Sequence, residues 1–77
     1  MPKLPVIKAK ELLRKLSKLG FHKHHQAGSH IQLKHQDGRR TTIPYHPFQE
    51  IRRGTLKSII ADLDLTVEEF IREIMKK

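Results

Sequence analysis

"HIQLKHQDGRRTTIPY", residues 30–45, decides the fold of this chain. At its centre stands Asp37-Gly38, a pair that reads as a hairpin turn when apolar residues alternate on both sides. Ile31 and Leu33 precede it, and Thr41, Ile43 and Tyr45 follow it. All five positions are odd-numbered, and residues i and i+2 of a strand share a face. The odd face is therefore the one predicted to be buried. A three-residue loop, Gln36-Asp37-Gly38, keeps odd opposite odd between strands over 30–35 and 39–45. A two-residue loop would set odd against even, so the longer one is preferred.

Upstream, Phe21–Gln26 reads as a third strand, with Phe21 on the odd face. The same parity argument favours a three-residue loop, Ala27-Gly28-Ser29, ahead of His30. That register sets His24 across from Gln32 and leaves His30 at the hairpin end. The even face then carries His22, His24, Gln26, His30, Gln32, Lys34, Arg40 and Thr42. One polar face is ordinary for an antiparallel sheet with helices on the other side. Histidine is a less expected choice there than Lys, Glu or Thr.

Helical periodicity flanks this core. Residues 1–7, with Pro2 and Pro5, read as an extended lead-in. From about Lys8, the residues Ala9, Leu12, Leu13, Leu16 and Leu19 recur at helical spacing, and Gly20 ends the run. "PYHPFQEIRR", residues 44–53, is a proline-punctuated connection. A second helix begins near Thr55 with Leu56, Ile59, Ile60 and Leu63 on one stripe. Thr66 and Glu69 have the spacing of a capping box, opening a third helix with Val67, Phe70, Ile71 and Ile74. The predicted class is α+β, in the order α-β-β-β-α-α, with helices on one face of a three-stranded antiparallel sheet.

Seventy-seven residues make one domain, residues 1–77, which buries only about 60% of its unfolded surface. With no cysteine, disulfides and thiolate metal sites are excluded and nothing argues for secretion. No apolar run approaches the ~18 residues of a membrane span, and no signal-peptide core opens the chain, so a cytoplasmic protein is expected. Sixteen Lys and Arg against eight Asp and Glu give a net charge of +8. That balance points to a nucleic acid or an acidic protein as partner.

Three motifs in order then bear on function: Gly28-Ser29-His30, Pro44 with His46, and Gly54-Thr55-Leu56 with Ile59. Together they resemble the HicA family of bacterial toxins over roughly residues 4–74. The resemblance implies a fold like the double-stranded RNA-binding domain. It further implies an endoribonuclease that cleaves mRNA and is held by a HicB-type antitoxin. The family's catalytic residue is the histidine of Gly-Ser-His, which is His30 here. The run His22-Lys23-His24-His25 departs from relatives, which more often carry apolar and Arg residues there.

The chemistry suits these residues. RNA carries its own nucleophile, the 2′-OH, so cleavage needs a base, an acid and positive charge near the phosphate, and no metal. Histidine titrates near pH ~6.5 and serves as either acid or base at neutral pH. A second proton-transfer group is expected at His46 or His24. Gly28 permits close backbone approach, and Ser29 bonds a phosphate or shapes the turn, with the turn favoured. Lys34 and Arg40 share the face of His30, where they stabilise phosphate charge. Arg52, Arg53 and Lys57 flank the start of the second helix, an anion-favouring end. A metal site built from His22, His24, His25 and His30 is disfavoured, because His25 should point away from His22 and His24. A non-catalytic RNA-binding module is the alternative reading, weakened by the lack of aromatic stacking residues on the open face.

Overall fold

The computed structural model describes residues 3–46 and 48–75. Residues 1 and 2 of the expected lead-in, and Pro47 of the connection, lie outside the described residues. The elements are α1 (Ala9–Lys18), β1 (His22–Ala27), β2 (His30–Lys34), β3 (Arg40–Pro44), α2 (Arg53–Asp62) and α3 (Val67–Ile74). The sheet is antiparallel in the order β1-β2-β3. This is the α+β class and element order that the residue pattern predicts.

Each helix end has an identifiable cause. The N-cap of α1 is Lys8, whose side chain makes no cap bond. At its other end Gly20 has φ 102°, its N–H donates to Ser17 O, and the N–H of Phe21 donates to Leu16 O. This is the Schellman arrangement, and the buried pair Phe21 and Leu16 supplies its apolar contact. The same pair of bonds closes α2, from Asp64 to Ala61 and from Leu65 to Ile60. There Asp64 takes φ 61°, a conformation short polar side chains tolerate better than most. Helix α2 begins at Arg53, two residues before the expected start, with Gly54 accommodated in its first turn. The capping box of α3 is present in both directions, Glu69 N–H to Thr66 Oγ1 and Thr66 N–H to Glu69 Oε1.

Ile31, Leu33, Thr41 and Ile43 are buried, so β2 and β3 face the helices with their odd residues. They pack with Leu12 and Leu16 of α1, Leu56, Ile59 and Ile60 of α2, and Phe70 and Ile74 of α3. Thr41 is polar and buried, and its hydroxyl donates to Asp62 Oδ2 at 3.1 Å. The lead-in contributes as well: Ile51 N–H donates to Ile7 O, and Ala9 N–H to Gln49 O. These bonds tie the connection ahead of α2 to the entry of α1.

The first hairpin differs from expectation. Ala27 pairs with His30, so the loop is the two-residue Gly28-Ser29. Gly28 has φ 59° while Ser29 stays at negative φ, the signature of a II′ turn. Two residues would set odd against even along all of β1, but the register shifts between Lys23 and His25. This bulge inserts one residue and restores Lys23 opposite Leu33 and His22 opposite Lys34. His24 is therefore the inserted residue, and His25, not His24, stands across from Gln32. Every residue of β1 is exposed, so neither of its faces joins the core. The second loop is the three-residue one, with His35 N–H donating to Arg39 O at 2.9 Å.

His35 turns out to be structural. Its Nε2 lies 3.0 Å from Leu19 O, which can only accept, so Nε2 carries the proton. Its Nδ1 accepts from the Asp37 N–H at 3.1 Å, and the ring meets Phe21 edge-on at 5.0 Å. Arg39 reinforces the corner, donating to Asp37 Oδ2 and, through Nη1, to Leu63 O, both at 2.8 Å. The Arg39 backbone N–H, and after it the guanidinium, hold the Asp37 carboxyl below its ordinary range. A Cβ on Gly20 would lie 2.9 Å from His35 Nε2, at a φ that L side chains rarely adopt. Gly20→Ala is therefore expected to destabilise the fold by more than about 1 kcal/mol in urea unfolding. An unchanged midpoint would mean that the His35 corner yields freely.

Candidate nucleic-acid interface

The Gly28-Ser29 turn hands the chain directly to His30, the first residue of β2. Two neighbours fix its backbone, since His30 pairs with Ala27 on one side and Pro44 on the other. The turn is buttressed by Gln26 Nε2 donating to Gly28 O at 3.1 Å, and by the Tyr45 N–H donating to Ser29 O. The imidazole itself is exposed, and no side chain among the described residues bonds it. A rigid backbone thus presents a free ring to solvent.

From His30 the open face runs along Gln32 and Lys34 on β2, with Thr42 and Arg40 opposite them on β3. Among the described residues no strand contains a carboxylate. The three strands carry Lys23, Lys34 and Arg40 with four imidazoles, those of His22, His24, His25 and His30. The strands therefore hold only the positive side of the balance.

Two concavities mark the ends of this face. One of about 280 Å³ is lined by Pro44, His46, Gln49, Glu50, Arg52 and Thr55, on the β3 side where Pro44 faces His30 in register. The other, about 220 Å³, is lined by His24, Gln32, Lys34, Arg40, Thr42 and Asp62. Lys34 lies four positions beyond His30 on β2, roughly 13 Å at the strand rise of about 3.3 Å per residue. His24 falls beside Gln32 and Leu33, roughly 8 Å along the strand. His46 follows Pro44, the register partner of His30, and His24 lines the concavity that reaches Lys34.

The expected phosphate trio at the start of α2 is divided. Arg52, the N-cap of α2, lines the concavity of His46. Arg53 and Lys57 instead line a separate groove with Lys3, Leu4, Thr66, Val67 and Glu68. Gln49 and Glu50 beside His46 have no counterpart among the residues singled out from sequence, and Thr55 enters there through the Gly54-Thr55-Leu56 motif. Only the irregular connection brings the first two there, and it has no periodicity to read. Among the described residues, no group of three or more His, Cys, Asp or Glu is placed to hold a metal ion. No helix among them is long and apolar enough to cross a membrane.

A three-stranded sheet backed by helices, with Lys and Arg as the only charged side chains on its strands apart from histidine, defines a small α+β domain with a basic sheet. The family model described as HicA toxin of bacterial toxin-antitoxin matches residues 9–65, and the chain belongs to that family. No curated protein matches the chain significantly. Membership makes it the toxin half of a two-protein system, with an antitoxin as its counterpart.

Proposed function

We propose that the chain is a metal-independent endoribonuclease that cleaves mRNA in the cytoplasm and is restrained by a HicB-type antitoxin. The observation that carries this reading is the free, exposed imidazole of His30 on a rigid corner of a carboxylate-free sheet. In the reaction, His30 takes the proton of a ribose 2′-OH as the 2′-oxygen attacks the adjacent phosphorus. The bond from phosphorus to the 5′-oxygen breaks, and an acid protonates that leaving oxygen. His46, two residues beyond the register partner of His30, is the group for this second transfer, and His24 is the other candidate. Arg52, beside His46, and Lys34 and Arg40, further along the sheet, meet phosphate charge. Gly28 leaves the turn open to the backbone of the RNA, and Ser29 shapes it. Arg53 and Lys57 dock phosphates outside the reacting centre. The antitoxin, on this reading, covers the His30 face.

Cleavage of a long single-stranded RNA by the purified chain tests the proposal. The rate is expected to be the same with and without EDTA, because the nucleophile is the RNA's own hydroxyl. Loss of cleavage on chelation would overturn the metal-independent mechanism. A folded chain that leaves RNA intact, free or ribosome-bound, would favour a binding module without catalysis.

A further inference from the structure

Strand β1 is six residues long and buries none of them. A strand normally contributes one face to a core, so its sequence is explained by packing. His22-Lys23-His24-His25 has no such explanation. Its charged neighbours are mostly cations: His22 stands opposite Lys34, and His24 lines the far concavity with Lys34, Arg40 and one carboxylate, Asp62. The bulge contributes, because it sets His25 opposite Gln32 of the open face, where a regular register would have turned it away.

We propose that β1 is a second docking strip for the RNA backbone, anchored at the His24–Lys34–Arg40 concavity and tightened when its histidines are charged. The inference rests on the ribonuclease reading for its ligand class. Its positional content is separate: the Lys34–Arg40 end of the anchor lies roughly 13 Å along β2 from His30. The strip therefore holds a different phosphate of the same strand. Its contacts go to the backbone, which positions RNA without reading its sequence. Histidine is the side chain that gains a positive charge on mild acidification, and a charged imidazole adds a cation to the strip.

The charges around these rings are few. On β1 itself Lys23 Nζ donates to Gln26 Oε1 at 3.3 Å. From β2 come Lys34 opposite His22 and the neutral Gln32 opposite His25. Arg40 of β3 and Asp62 of α2 line the concavity of His24, and Asp62 is the acceptor for the Thr41 hydroxyl. A phosphate bound beside an imidazole favours its charged form. Docking and histidine charging are thus coupled.

The test uses the full chain and a fully 2′-O-methylated single-stranded RNA, which lacks the free 2′-OH and cannot be cleaved. Affinity is measured between 50 and 200 mM salt at pH 7.5 and 5.5, for wild type and for His22→Gln/His24→Gln/His25→Gln. Each phosphate newly neutralised adds about 0.7 to the slope of log affinity against log salt for single strands. Wild type is expected to steepen by about 2 on acidification, if three imidazoles engage. The triple variant should lose most of that steepening and bind at least about tenfold weaker at pH 5.5, with near-equal affinity at pH 7.5. All three substitutions are at exposed sites, and circular dichroism verifies the fold. His24→Gln alone should remove about a third of the extra slope. A triple variant with wild-type steepening overturns the docking strip. The ribonuclease reading would survive that result if cleavage still depended on His30. Absence of RNA binding by wild type at both pH values would overturn both.

Discussion

His30→Ala is expected to lower RNA cleavage by about 10²- to 10⁴-fold, the range for removing a positioned acid or base. In free-energy terms this is roughly 3–5 kcal/mol of transition-state stabilisation. The fold should be untouched. His30 is exposed, its backbone is held by pairing with Ala27 and Pro44, and no side chain among the described residues depends on its ring. Two readouts separate chemistry from docking. Affinity for the uncleavable RNA at pH 7.5 should change by less than about tenfold, since the Lys and Arg side chains carry the phosphate contacts. The pH–rate profile of any residual activity should lose one limb, because one of two proton-transfer groups has gone. Cleavage by His30→Ala within threefold of wild type would sink the assignment and move attention to His46 and Glu50, which share a concavity beside Pro44.

Sequence periodicity read the architecture where residues alternate between greasy and polar, and failed where they do not. Ile31, Leu33, Thr41 and Ile43 named the buried face because each sits between polar neighbours. Gly20 and the Thr66–Glu69 pair fixed helix boundaries through local bonds. In His22-Lys23-His24-His25 no apolar residue marks a face, so pattern alone cannot tell a three-residue loop from a two-residue loop with a compensating bulge. Both put Lys23 opposite Leu33. They differ in which histidine faces Gln32, and so in which one reaches Lys34 and Arg40. His35 looked like one more strand residue, since its partners Leu19 and Asp37 lie across a helix end and a loop. The position of His30 followed from its motif. Its separation from His24, and the division of Arg52 from Arg53 and Lys57, needed the tertiary arrangement. Long-range placement is the part that local spacing cannot supply.

Phe70→Ala should cost about 3–5 kcal/mol, the usual loss for emptying a buried aromatic site. Phe70 is 0% exposed and packs in the cluster formed by all three helices and the two inner-facing strands. A domain of this length has little to spare: at about 0.05–0.15 kcal/mol per residue, its total stability is roughly 4–12 kcal/mol. The variant is therefore expected to be partly or wholly unfolded at 37 °C, with a urea midpoint far below wild type. Cleavage would fall with the folded fraction even though α3 is remote from His30, because β2 and β3 are positioned by the core that Phe70 fills. An antitoxin that binds only the folded toxin should restore folding by mass action, by about 2.7 kcal/mol at a hundredfold excess over its Kd. That rescue distinguishes lost stability from lost chemistry, since His30→Ala has no folding defect to rescue. A loss below about 1 kcal/mol would show that α3 frays independently of the rest. Its capping box would then be holding an appendage instead of closing the core.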